Sequence, residues 1–120
     1  MLLFVYGTLR KAFAHPMAQK LSRKAKHIGF AYVYAQLFDL GEYPGIVLSA
    51  NNKHKTFGDL YLLEDTSFIH ELDEYEGEEY QKKQTLVYCN ERSYHAYVYE
   101  LIIPHHTFEM IPSGDYIKYH

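Results

Sequence analysis

Leu3-Phe4-Val5-Tyr6-Gly7-Thr8-Leu9-Arg10 is the stretch whose reading decides the fold. Leu3 to Tyr6 are apolar or aromatic without polar alternation, which predicts a strand buried on both faces. The run stops at Gly7, a residue that tolerates unusual backbone angles and lets a ligand approach the main chain. Thr8 adds a hydroxyl and Arg10 a fixed positive charge. A buried strand feeding such a turn exposes backbone N–H groups that can hold a carboxylate or a developing oxyanion. An ordinary tight turn after a core strand accounts for the same eight residues.

Downstream, His15-Pro16 is a restricted joint, and proline suits a first helical turn. Met17 and Leu21 predict a short helix through about Lys24, with Arg23 and Lys24 near the end where the dipole favours cations. Lys20, Arg23, Lys24 and Lys26 read as a solvated basic face. His27 to Phe38 predicts a long strand, bent near Gly29. Asp39 to Gly45 is dense in turn residues, Ile46-Val47-Leu48 is a short buried strand, and Ala50 to Lys55 is a polar loop. Thr56 to Leu63 predicts another strand, in which Gly58 marks a bulge or a close backbone approach. The period then changes. Phe68, Ile69, Leu72 and Tyr75 recur at helical spacing, Asp65, Thr66 or Ser67 can cap the start, and Gly77 is a stop. Gln81 to Cys89 and Ser93 to Ile103 predict two strands joined as a hairpin at Asn90-Glu91-Arg92. The remainder, punctuated by Pro112 and Gly114, reads as irregular. Strands dominating two short helices give an α+β class with a curved sheet.

The 120 residues are read as one domain, 1–120, large enough for a real core. Apolar residues make up 48%, which excludes general disorder, and a net charge of −3 argues against nucleic acid as the main partner. No apolar run approaches the ~20 residues that span a bilayer, so no membrane partner is expected. The N-terminal run lacks a charged leader and does not read as a signal peptide. Cys89 is the only cysteine, has no internal disulfide partner, and fits a buried structural thiol in a reducing cytoplasm.

The richest chemical candidate is Glu71-Leu72-Asp73-Glu74-Tyr75-Glu76-Gly77-Glu78-Glu79. Most of these carboxylates read as a solvated helix end. Glu76 differs: at about 100° per residue it falls between Leu72 and Ile69, inside the apolar stripe, whereas Glu74 falls nearly opposite. A carboxylate placed there needs a partner or a function, and burial raises its pKa toward what a general base requires. His105-His106 with His120 match no metal-ligand spacing, and no metal is expected. Ser113 and Asp115 lack the context of a hydrolytic triad and read as a turn closing against the site.

Four segments taken in order resemble the γ-glutamylcyclotransferase-like (AIG2-like) superfamily: Tyr6-Gly7-Thr8-Leu9-Arg10, Asp39-Leu40-Gly41-Glu42-Tyr43-Pro44-Gly45, Leu72-Asp73-Glu74-Tyr75-Glu76-Gly77 with Tyr80, and Ile111-Pro112-Ser113-Gly114-Asp115-Tyr116. The resemblance is nearer to the γ-glutamylamine branch than to the glutathione branch. It implies a small mixed β-barrel flanked by short helices. It also implies an enzyme that releases 5-oxoproline from a γ-glutamyl substrate, with Glu76 as general acid and base. By the same resemblance the Tyr6, Gly7, Thr8 and Leu9 loop holds the substrate, and Tyr43 and Tyr80 line the pocket. No cofactor is implied, and the expected state is a cytoplasmic monomer or homodimer. The alternative is a non-catalytic domain of the same fold that binds a small anion or metabolite.

Overall fold

The computed structural model describes residues 1–49 and 51–119. In chain order the elements are β1 Leu2–Val5, α1 Pro16–Lys24, β2 Ala25–Asp39, β3 Pro44–Leu48, β4 Lys55–Leu63, α2 Phe68–Glu76, β5 Tyr80–Cys89, β6 Arg92–Leu101, β7 Glu109–Met110 and α3 Tyr116–Tyr119. Five strands close a mixed barrel in the order β1–β4–β2–β3–β6, and β6 returns to β1 through a parallel contact at Leu3 and Tyr97. The protein is therefore α+β, a small barrel carrying extra strands and short helices.

β2 is the longest strand and organises the closure. Its first part pairs β4 from Ala25 to Tyr34 and its last part pairs β3 from Ala35 to Asp39. The register with β4 shifts between His27 and Gly29, which is the bend expected near Gly29. β5 and β6 form a hairpin from Tyr80–Leu101 to Cys89–Arg92. Its loop is the two residues Asn90 and Glu91, both with positive φ (51° and 64°), the handedness that matches strand twist in tight hairpins.

Two apolar clusters explain the unbroken run at the N-terminus. Phe4 and Tyr6 join Val33, Leu37, Ile46, Leu60 and Val98 inside the barrel. Leu3 and Val5 point the other way and pack with Leu21 of α1, Phe68, Ile69 and Leu72 of α2, and Leu101. Both faces of β1 are thus covered, and each such side chain contributes about 1.5–3 kcal/mol on burial. Gly58 is a close approach rather than a bulge: a Cβ there would stand 2.1 Å from the Val5 carbonyl oxygen.

The C-terminal segment is more ordered than its sequence suggests. Met110 and Glu109 pair with Phe38 and Asp39 as β7, and α3 makes a third helix where two were expected. Its start is pinned by Arg10. The Arg10 guanidinium donates to Asp115 at 2.9 Å and lies 3.6 Å from Asp59, with all three side chains buried. Arg10 is therefore not a ligand-facing charge. Ser113 and Asp115 close against this network and against β4, where Phe57 donates to the Gly114 carbonyl, and not against the pocket described below.

Candidate active site

A cavity of about 250 Å³ opens where the end of β1, the start of β3 and the end of α2 meet. It is lined by Tyr6, Gly7, Thr8, Leu9, Tyr43, Pro44, Tyr75, Glu76, Tyr80 and Tyr99, with Phe4 and Val5 behind them. The residues expected to act on or hold a ligand, Tyr6, Gly7, Thr8, Leu9, Tyr43, Glu76 and Tyr80, are all brought to this cavity, whereas Arg10, Ser113 and Asp115 are not. The size suits an amino-acid-like group, below the ~300–1,000 Å³ typical of drug-sized ligands.

α2 places Glu76 as the helical projection predicts. Phe68, Ile69 and Leu72 are buried, and Glu76 follows them at the last helical position. The chain then turns sharply at Gly77, whose φ of 82° favours glycine, while the Gly77 N–H bonds back to Asp73. The Glu76 carboxyl reaches the cavity among aromatic rings. Burial pushes its pKa up from 4.5 to about 7, and no cation or hydrogen-bond donor among the described residues offsets that.

The neighbouring carboxylates behave differently. Asp73 accepts from the Tyr99 hydroxyl at 2.7 Å and pairs with Lys82, so it is not merely a solvated charge. Glu71 pairs with Lys20, and Glu79 accepts from Tyr43 at 2.6 Å. At the start of α2, Ser67 makes no side-chain cap; Asp65 instead accepts from the Ser67 backbone and hydroxyl.

The phenols around Glu76 are mostly committed. Tyr6 donates to the Tyr99 carbonyl at 2.7 Å, and Tyr80 donates to the Pro44 carbonyl at 2.5 Å. Burial, reinforced by the Glu76 charge, raises the pKa of both and keeps them protonated. The loop is the reverse case. Arg10 N–H closes the turn onto the Gly7 carbonyl at 3.1 Å, yet the N–H groups of Gly7, Thr8 and Leu9 meet no acceptor among the described residues. Unspent backbone donors at a cavity wall are able to receive an anion's oxygens.

Gly7 is required for space rather than for a left-handed backbone. A Cβ there would stand 2.8 Å from Cγ of Pro44. Gly7→Val is expected to force the loop away from Pro44, weakening ligand binding in the cavity at least about tenfold while costing about 1–3 kcal/mol of stability. Calorimetry on the folded variant checks this, and unchanged affinity would contradict it.

Tyr75 and Tyr99 complete the lining and went unassigned in the sequence. Tyr75 reads there as one more member of the apolar stripe, and Tyr99 as one of several strand tyrosines. Of His105, His106 and His120, whose spacing matches no metal-ligand pattern, His120 lies outside the described residues. Among the described residues no three His, Cys, Asp or Glu side chains gather as a metal-binding group.

A family described as gamma-glutamyl cyclotransferase, AIG2-like, matches residues 3–118. No curated protein matches the chain significantly. The crystal structure of YkqA from Bacillus subtilis superposes with a TM-score of 0.78 at 28% identity over 98% of this chain, which spans only 40% of YkqA. The solution structure of protein ytfP from Escherichia coli gives 0.68 at 27% identity, covering 99% of this chain and 98% of that one. An AIG2-like protein from Mus musculus shares the fold, with a TM-score of 0.68 at 22% identity over 90% of this chain and 86% of its own.

Proposed function

Because the chain belongs to the gamma-glutamyl cyclotransferase, AIG2-like family, we propose that it releases 5-oxoproline from a γ-glutamyl amine or γ-glutamyl amino acid by intramolecular aminolysis. One observation carries this reading. Among the described residues, a carboxylate with no neutralising partner, its pKa raised to about 7, shares a cavity with a loop of unspent backbone N–H groups.

The reaction asks for few groups. The substrate's α-nitrogen attacks its own γ-carbonyl carbon, a new C–N bond closes the five-membered lactam, and the γ-amide C–N bond breaks. Holding the glutamyl chain folded in a small cavity supplies much of the acceleration. Glu76 takes a proton from the α-ammonium and returns one to the departing nitrogen, so protons balance. A pKa near 7 suits both halves of that cycle. The N–H groups of Gly7, Thr8 and Leu9 hold the α-carboxylate or the oxyanion. Tyr6 and Tyr80, whose hydroxyls are already engaged, act as shaped walls, and Tyr43 stands at the rim with 39% of its surface exposed. No step calls on a metal or organic cofactor, so turnover is expected to survive exhaustive chelation. Loss of activity restored by a divalent ion would refute that.

The pH dependence follows from the Glu76 shift. The base works ionised, so kcat/KM is expected to rise through an apparent pKa near 7 and level off above it. A profile rising near pH 4.5 would place the base elsewhere.

The test is incubation with a panel of γ-glutamyl amines, amino acids and glutathione, followed by mass detection of products. 5-Oxoproline and free amine in equal amounts are expected from at least one compound. Binding without turnover across the panel would favour a metabolite-binding domain instead.

A further inference from the structure

We infer that His15 and Tyr75 form a hydrogen-bond relay that fixes the direction of the Thr8 hydroxyl and makes it a donor into the cavity. This rests on the reading of the loop as the substrate cradle.

His15 is the N-cap of α1, and its Nδ1 accepts the Met17 N–H at 3.1 Å. An imidazole nitrogen that accepts an N–H offers a lone pair and carries no proton, so the ring proton sits on Nε2. Nε2 stands 3.3 Å from the Tyr75 hydroxyl oxygen. The direction along the chain is then set. The Tyr75 oxygen accepts from His15, and its own proton turns to Oγ1 of Thr8, 2.8 Å away. The opposite direction would place two protons between His15 and Tyr75. Thr8, having accepted from Tyr75, keeps its hydroxyl proton, and no acceptor among the described residues takes it. Thr8 lines the cavity beside the unspent N–H groups of Gly7 and Leu9. A ligand oxygen seated there meets a hydroxyl donor as well as amide donors.

The choice of residue at position 15 supports the relay. Ser, Asp and Asn are the usual side chains at a helix N-cap, and any of them would satisfy Met17. Histidine accepts from Met17 with one ring nitrogen and brings the other to 3.3 Å from the Tyr75 hydroxyl. Tyr75 sits one residue before Glu76, so the relay fastens the cradle to the helix that carries the proposed base. His15 and Tyr75 are positioning residues in this account, and Thr8 is the group that touches ligand.

The test combines Tyr75→Phe, His15→Asn, Thr8→Val and Thr8→Ser, measuring 5-oxoproline affinity by calorimetry together with kcat and KM. Asparagine retains the cap acceptor for Met17, but its shorter amide falls short of the Tyr75 hydroxyl that Nε2 of His15 reaches. His15→Asn and Tyr75→Phe are each expected to weaken 5-oxoproline binding or raise KM by about 3- to 10-fold. Thr8→Ser is expected to stay within about twofold of wild type, because it restores the hydroxyl, and Thr8→Val to lose as much as Tyr75→Phe. In the Thr8→Val background, adding Tyr75→Phe or His15→Asn should change affinity by less than about twofold, since the donor they orient is gone. Full additivity in that background would overturn the relay, as would wild-type affinity and kinetics in both Tyr75→Phe and His15→Asn. A wild-type protein that neither binds 5-oxoproline nor releases it from any γ-glutamyl compound would overturn the proposed function, and the relay with it.

Discussion

Glu76→Gln is expected to abolish turnover, by several orders of magnitude, while the protein stays folded and still binds its substrate. The amide matches the carboxylate in shape and cannot accept the α-ammonium proton. Each acid or base role contributes about 10²–10⁴ to rate, and Glu76 is assigned both. The same substitution separates function from stability. Burial raises the folded-state pKa of Glu76 from 4.5 to about 7. The protonated form is therefore favoured in the folded protein, and ionisation costs stability as pH rises from about 4.5 through 7. Wild type and Glu76→Gln should be nearly equal in stability below pH 4.5. Above pH 7 the variant should be the more stable, by at most on the order of 3 kcal/mol because the carboxyl keeps some access to the cavity. Glu74→Gln changes an exposed side chain and is expected to alter neither rate nor stability. Denaturant unfolding across this pH range, beside single-turnover rates, checks both halves. A Glu76→Gln variant retaining a tenth of wild-type activity, or a dead Glu74→Gln, would put the base on another residue.

The second large effect is on folding. Arg10→Met removes the one cation shared by Asp59 and Asp115 while keeping a long apolar stem. Asp115 would still accept from the Ile117 and Lys118 N–H groups, and Asp59 from Lys11 N–H and His27, but neither buried carboxylate would retain the guanidinium. Breaking a buried pair in this way typically costs about 3–5 kcal/mol. For a chain of this length that corresponds to a melting temperature lower by roughly 10–20 °C. Adding Asp115→Asn should recover part of the loss, because the stranded charge goes with it. A melting temperature within about 3 °C of wild type would show that the network carries little stability.

These two positions mark where the sequence speaks and where it is silent. Glu76 is legible because a helix has a fixed period: one carboxylate inside an apolar stripe stands out without knowledge of anything else. β1 is legible for a similar reason, since four unalternated apolar residues need cover on both sides. Gly77 announces the helix end, and Asn90-Glu91 falls between two strand patterns. Arg10 is not legible. Its partners lie 49 and 105 residues further on, and only the closed barrel brings them together. Barrel closure has the same character, resting on a short parallel contact between β1 and β6 that leaves no periodic trace. Tyr75 looked like core because its ring is core-like, and what distinguishes it is a hydroxyl aimed at Thr8 and His15 across 67 and 60 residues. β7 and α3 are too short to display a period and depend on β2 and Arg10 for their order.

Turnover in water enriched in heavy oxygen tests the central claim most directly. In intramolecular aminolysis the nucleophile is the substrate's own nitrogen, and water enters no bond. The account predicts 5-oxoproline carrying no heavy oxygen, one equivalent of free amine, and no glutamate formed in step with them. Glutamate bearing the label in its γ-carboxyl would instead mean that water attacks the γ-carbonyl, and the protein would be a hydrolase with Glu76 activating water.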